Sequence, residues 1–171
     1  GPQGAGEAAL SIMVGGEAEA FARARPVFEA MGKTVLHMGA SGAGTASKLA
    51  NQLLVGVHTL AAAEALALAR KAGVDLEKLL QVLERSWGQS RMLERNAPRL
   101  VSRDFGPSAA PLRNLVKDLA IIQDLGASLG VPLRAAGEAR RVFEALAAQG
   151  KGLWDVSAAG LLVEGGPEGP A

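Results

Sequence analysis

A proline-free stretch of almost thirty residues that closes at Gly73 constrains this 171-residue chain more than any other feature. Its leucines, among them Leu49 and Leu53, recur at spacings of three and four, which is the period of an α-helix. Alanine, the strongest helix former, is abundant throughout the stretch. The pattern predicts one helix from about Gly44 to Ala72, roughly 40 Å long at ~1.5 Å per residue. Such a helix is long enough to organise a whole domain.

One face of this predicted helix is polar near its start. Lys48 lies there, although the dipole of a helix disfavours a cation at its first turns. Asn51 and Gln52 follow at i+3 and i+4, so the three side chains share a face. An amine whose charged form is disfavoured can serve as a general acid or base. Two interpretations stay open on the residues alone: a proton-transferring lysine, or a solvated lysine at a helix start.

Composition and charge exclude several classes of function. The net charge is +1 with no run of like charges, which argues against a nucleic-acid partner, because such a surface needs clustered Lys and Arg. No unbroken apolar run reaches the ~18–20 residues of a membrane span, so no membrane partner is expected. The absence of cysteine excludes thiolate metal sites and fits a reducing, cytoplasmic location. His37 and His58 are the only imidazoles, which argues against a zinc site, and no metal is expected.

The first 41 residues combine short apolar runs with one amphipathic segment. After a loop over residues 1–6, the predicted elements are a strand Leu10–Val14, a helix Glu17–Met31 closed by Gly32 as a C′ glycine, and a strand Thr34–Met38. Strand, helix and strand with short connections suggest a βαβ unit. Two strands do not make a stable sheet alone. Residues 1–41 are therefore predicted to be the end of a larger α/β domain.

The sequence Gly42-Ala43-Gly44 lies between a predicted strand and the long helix, as a dinucleotide-binding loop would. The fingerprint requires a third glycine, but residue 47 is Ser, and no second strand follows about thirty residues later. We therefore predict that these glycines let the chain turn between two domains.

Beyond Gly73 the pattern is helical almost to the end. Asp75 and Ser90 are predicted helix N-caps. The predicted elements are helices 76–84, 91–102, 112–129, 132–149 and 153–163, the last capped by Asp155, with a loop over 103–111. Residues 164–171 are rich in Gly and Pro and are predicted to form a disordered tail. Within helix 112–129, Lys117 stands among leucines next to Asp118, where a salt-bridged surface lysine is the simplest interpretation.

Three runs of residues, in this order, carry a resemblance to a known family: GAGTASKLANQ, EALALARKAGVD and RDFGPSAAPLRNLVKDL. With LSIMVGG and the pair Asp155 and Ser157, the chain resembles the β-hydroxyacid dehydrogenases from Gly1 to about Val163. That family includes 3-hydroxyisobutyrate dehydrogenases, tartronate semialdehyde reductases and L-threonate dehydrogenases.

The resemblance implies a mainly α fold in two parts. Residues 42–163 would form an all-helical catalytic and dimerisation domain, like the C-terminal domain of 6-phosphogluconate dehydrogenase, opened by a long interdomain helix. Residues 1–41 would be a βαβ remnant of the Rossmann domain that binds NAD or NADP. The phosphate-binding loop is missing, so the chain alone would be inactive.

The resemblance also implies roles for individual residues. Lys48 matches the catalytic lysine that acts as general acid or base when a small 3-hydroxy acid and its semialdehyde or keto acid are interconverted. Lys117, in the KDL motif, would lie by the cofactor. Asn51 and Gln52 would hold the substrate, with Gly1 as the last residue of a substrate-holding Ser-Gly-Gly loop. Many relatives have Asn where this chain has Gln52.

Two further expectations concern assembly and an alternative. Relatives pair through the helical domain, so a homodimer or homotetramer is expected. A non-catalytic helical interaction or oligomerisation module of dehydrogenase ancestry is the alternative to an enzyme. His58 is expected to be a core histidine bonded to a backbone carbonyl, although with the Pro107–Ala110 loop it also resembles the L-threonate dehydrogenase branch.

Overall fold

The computed structural model describes residues 2–165, and its packing divides the chain between Asn51 and Gln52 into two compact units. One long helix belongs to both units. The sequence suggests a domain boundary between residues 41 and 42, which lies at the start of this helix. That domain boundary stays a prediction.

The first unit is a βαβ unit preceded by a short helix. Its elements are α1 (Pro2–Gly6), β1 (Leu10–Gly15), α2 (Ala18–Glu29) and β2 (Gly32–Gly39). The two strands pair in parallel, with Ile12 opposite Val35, as predicted for strands joined by a crossover helix. The loop predicted over residues 1–6 is wrong for residues 2–6, which form α1. Proline suits the first turn of a helix because its φ is already helical and its missing N–H needs no partner there.

Glycines of the first unit allow backbones to approach closely. Gly32 is not the predicted C′ residue of α2 but the first residue of β2, where a Cβ would lie 2.5 Å from the carbonyl oxygen of Leu10. A Cβ on Gly44 would lie 2.5 Å from the carbonyl oxygen of Met13 and 2.8 Å from the nitrogen of Gly15. Gly42, at φ 91°, makes the turn before the long helix. The N-terminus of that helix therefore packs directly on the carboxyl end of β1.

The second unit is helical. It contains most of α3 (Ala43–Lys71), then α4 (Leu76–Leu83), α5 (Arg91–Ser102), α6 (Leu112–Ser128), α7 (Arg134–Leu146), a π-helical turn (Ala147–Lys151), a 3₁₀ turn (Val156–Ala158) and α8 (Ala159–Val163). The predicted helix Gly44–Ala72 is confirmed within one residue. The caps are also confirmed: Asp75 accepts from two backbone N–H groups at the start of α4, and Ser90 accepts from Leu93.

Helices α6 and α7 supply a large part of the core of the second unit. The inward face of α6 supplies Leu115, Leu119 and Ile122, which are almost completely buried, and α7 supplies the fully buried Phe143. Each such side chain contributes about 1.5–3 kcal/mol of apolar burial. This packing holds α6, and with it Lys117, on a rigid base.

Helix α3 is long and apolar enough to cross a membrane by length and composition. By this criterion, the expectation that no stretch could span a membrane is wrong. The expectation counted unbroken apolar runs, whereas the criterion averages hydropathy along the helix and so tolerates scattered polar residues. The finding is weak evidence for a membrane, since the core helix of a soluble protein passes the same test.

The predicted tail begins with a residue that is well held. Glu164 is nearly buried and pairs with Arg103 and with Arg70, whose Nε lies 3.3 Å from its Oε1. Residues 166–171 of the predicted tail lie outside the described part of the chain.

Candidate functional site

Lys48 and Asn51 lie one helical turn apart in α3, and both are exposed. Because α3 begins against the carboxyl end of β1, Lys48 follows the edge of the sheet where parallel α/β units bind their ligands. Among the predicted substrate residues, Gly1 lies outside the described residues. Asn51 is in place for a ligand on the face of Lys48, and its role stays a prediction.

Gln52 and Lys117 meet on one carboxylate. The Gln52 side chain donates from Nε2 to Oδ2 of Asp118 at 2.7 Å, and Nζ of Lys117 lies 2.9 Å from Oδ1 of the same residue. The Asp118 side chain is 18% exposed, whereas that of Lys117 is 68% exposed. The predicted salt bridge of Lys117 is therefore confirmed, and most of its amine side chain still faces solvent.

A second polar cluster surrounds Asp155, which is completely buried. Arg95 donates to both carboxylate oxygens, from Nη1 at 2.5 Å and from Nη2 at 2.6 Å. Ser108 also donates to Oδ2 through a short hydrogen bond, and Ser157 donates to Oδ1 from its backbone N–H at 2.9 Å and its hydroxyl at 2.7 Å. Arg99 completes the cluster, with Nε 3.8 Å from Oδ2.

The hydrogen bonds decide the charge of Asp155. Burial alone raises the pKa of this carboxyl, but the hydrogen bonds from Arg95, Ser108 and Ser157 outweigh burial, so its pKa lies well below the usual range. The carboxylate is therefore charged at any working pH. It is also the predicted cap of the last helical segment, since it accepts from the N–H of Ser157.

The Asp155 segment also fixes the start of α6. The backbone N–H of Asp155 donates to the carbonyl of Phe105 at 3.2 Å, and the N–H of Leu112 donates to the carbonyl of Trp154 at 2.8 Å. The loop before α6 is thus tied to residues 154 and 155 at both of its ends. Since α6 carries Lys117 and Asp118, the buried cluster holds the helix on which they sit.

Sequence reasoning identified Asp155 as a cap and a family residue but missed its arginine partners. Arg95 is 60 positions away, and a single sequence gives no signal for such a pair. His58 is not the expected core histidine: it is half-buried, lines a cavity of about 330 Å³ together with Trp87 and Ser90, and has no hydrogen bond within residues 2–165. Over the same residues, no three His, Asp or Glu side chains lie together as a metal site.

The loop Gly42-Ala43-Gly44 does not form a dinucleotide site in the described structure. The backbone at Gly44, where a pyrophosphate would need to approach, is already covered by β1. The side chain of Lys117 is by contrast largely exposed.

Two family models match successive parts of the chain. Residues 42–162 match the family model described as the NAD-binding domain of NADP-dependent 3-hydroxyisobutyrate dehydrogenase, and residues 1–39 match that of the NAD-binding domain of 6-phosphogluconate dehydrogenase. The chain therefore belongs to the β-hydroxyacid dehydrogenase family, whose cofactor is NAD or NADP.

Individual relatives show the same similarity. The chain is 36% identical to a 2-hydroxy-3-oxopropionate reductase of Escherichia coli, over 92% of this chain and 54% of the relative. It is 38% identical to an L-threonate dehydrogenase of Cupriavidus necator, over 87% of this chain and 50% of the relative. A 3-hydroxyisobutyrate dehydrogenase of Mycobacterium tuberculosis, solved with L-serine, superposes with a TM-score of 0.85 at 32% identity over 93% of this chain and 56% of that one. The chain thus spans about half the length of the relatives it matches.

Proposed function

We propose that the chain is the C-terminal part of an NAD(P)-dependent oxidoreductase that interconverts a small 3-hydroxy acid and its semialdehyde or keto acid. Residues 1–41 would be the end of its Rossmann domain, and residues 42–163 a helical domain like that of 6-phosphogluconate dehydrogenase. The observation that supports this most is the position of Lys48, on a helix that starts at the carboxyl edge of the βαβ unit.

In this proposal Lys48 moves the proton. The nicotinamide cofactor supplies or accepts the hydride at the carbon that bears the oxygen. When the carbonyl is reduced, its oxygen becomes an alkoxide and takes a proton from the Lys48 ammonium. In the oxidative direction the neutral amine removes the hydroxyl proton instead. Asn51 is the candidate to hold the hydroxyl or carboxylate of the substrate, and Lys117 is the candidate cofactor contact.

The chain alone should be inactive, because the described residues hold no phosphate cradle. Isothermal titration calorimetry of the 171-residue chain with NADH or NADPH is expected to show no specific binding. The same chain joined to a complete dinucleotide-binding domain should oxidise or reduce small 3-hydroxy acids and their carbonyl partners with one of these cofactors. Micromolar binding by the chain alone would contradict the division proposed here, and an inactive full-length protein would contradict the proposed function.

Several large apolar side chains of the second unit are exposed. Trp87 is fully exposed, and Leu68 and Val82 are more than half exposed, so association of copies of the chain would give them a surface to cover. We propose a homodimer or homotetramer in a cytoplasmic, reducing compartment. Light scattering at high micromolar concentration is expected to give a multiple of 17.5 kDa, and a monomeric mass would contradict it. These exposed side chains are equally compatible with the alternative, a non-catalytic oligomerisation module, which would show no turnover of hydroxy acids by the full-length protein.

A further inference from the structure

The carboxylate of Asp118 connects α3 with α6 through two side chains. Each of its oxygens has its own donor: Gln52 donates to Oδ2 at 2.7 Å, and Lys117 lies 2.9 Å from Oδ1. We call these three residues the Gln52–Asp118–Lys117 network. These residues lie wholly within the second unit, and the Asp118 side chain is 18% exposed whereas that of Lys117 is 68% exposed.

The contact between Lys117 and Asp118 is not imposed by the helix. Successive residues of an α-helix do not face one another, so the lysine side chain must fold back to reach its neighbour. A lysine free in solvent would sample many rotamers, and fixing one of them costs conformational entropy. A carboxylate that is already held by Gln52 gives the amine a fixed partner. Since an ammonium has three N–H donors, two stay available to a ligand.

We propose that Asp118 and Gln52 are positioning residues that hold the Lys117 amine in place for the cofactor. Gln52 then acts on the cofactor side of the site through Asp118, rather than on the substrate as its place in the sequence suggests. The inference rests on the proposed function, because it takes Lys117 as the cofactor contact. It assigns a use to the hydrogen bond that links Gln52 to Asp118 of α6.

The test is steady-state kinetics of the full-length enzyme with variants of the Gln52–Asp118–Lys117 network. Asp118→Asn keeps the shape but removes the charge, so the KM for NADH or NADPH should rise about two- to fivefold, the size of a partly exposed ion pair. Gln52→Leu should raise the same constant by a smaller factor. In both variants kcat and the KM for the hydroxy acid should stay within about twofold.

A double variant separates positioning from a general loss of stability. If Asp118 acts through Lys117, then Asp118→Asn should add nothing to the cofactor KM once Lys117→Met has removed the amine. A purely structural role would instead give effects that add. Additive effects in this cycle would overturn the proposal.

Two control variants are matched to the test. Asp75→Asn removes a carboxylate 3.4 Å from the ammonium of Lys78 while keeping a good helix cap. Gln123→Leu removes a part-buried glutamine that donates to the carbonyl of Leu133 at 2.9 Å. Both control variants should leave the cofactor KM unchanged. Circular dichroism and melting curves of the same variants would measure any change in stability.

The opposite kinetic pattern would overturn the inference. If Gln52→Leu raised the KM of the hydroxy acid and left that of the cofactor unchanged, Gln52 would be a substrate contact. If Lys117→Met left the cofactor KM unchanged, Asp118 and Gln52 would have no cofactor residue to position. Neither result touches the proton-transfer role of Lys48, so the proposed function would stand or fail separately.

Discussion

Replacing Lys48 by methionine should lower the turnover of the full-length enzyme by roughly two to four decades, the usual contribution of general acid–base catalysis. Methionine keeps an unbranched side chain and a high helix propensity, so α3 should survive. The loss comes from the alkoxide, which then has no ammonium to protonate it. Binding of the hydroxy acid should weaken less, so kcat should fall much more than KM rises.

Control variants make this result specific to the amine at residue 48. Lys71→Met removes an exposed lysine from the other end of the same helix and should leave kcat unchanged. Lys48→Ala should recover part of its turnover when a small primary amine is added, because the amine can enter the vacated space and transfer the proton. Near-native turnover of Lys48→Met would mean that Lys48 is a solvated lysine at a helix start and that another group moves the proton.

The sequence predicted the elements whose cause is local. The helical period and the absence of proline gave α3 within one residue, and the caps Asp75 and Ser90 need only a side-chain oxygen beside free N–H groups. Gly32 was wrong because its reason is not local. It is required where β2 approaches the carbonyl of Leu10, which lies 22 positions away.

The polar clusters show the same limit more clearly. Lys117 and Asp118 are neighbours in sequence, so their ion pair could be predicted, but Gln52 lies 66 positions from Asp118. The family motif assigned Gln52 to the substrate because of its spacing from Lys48. In the folded chain, however, its amide donates to Asp118 of α6. The prediction for His58 was wrong for a similar reason, because a polar residue on a helix can line a cavity as readily as it can be buried in a core. The catalytic assignment of Lys48 stays a prediction until it is measured.

Replacing Asp155 by asparagine should cause a large loss of stability in the second unit. The side chain is completely buried and pairs with Arg95, and with Arg99 at longer range. Removing one partner of a buried ion pair costs about 3–5 kcal/mol. We expect about 3 kcal/mol, the lower end of that range, because both arginines are about one third exposed and can regain water.

A matched variant isolates the effect of burial. Glu144 pairs with Arg140 at 2.6 Å, a distance like that of the Asp155 pair, but its side chain is 43% exposed. Glu144→Gln should therefore lower the free energy of unfolding by less than about 1 kcal/mol. Urea unfolding followed by tryptophan fluorescence measures both variants, since Trp87 and Trp154 are the chain's two tryptophans and both lie in the second unit. A loss at Asp155 no larger than that at Glu144 would contradict the structural role of the cluster.

The pH dependence of stability gives an independent check on Asp155. Because its pKa is lower in the folded state than its ordinary value of 3.8, the unfolded chain binds its proton first as the pH falls. The stabilisation is fully present above about pH 5 and is lost as the pH drops below about 4 toward the folded pKa. The difference in free energy of unfolding between wild type and Asp155→Asn should therefore be constant from pH 7 to pH 5 and shrink at lower pH. A difference that stayed constant down to pH 2 would show that the loss comes from altered packing and not from the charge.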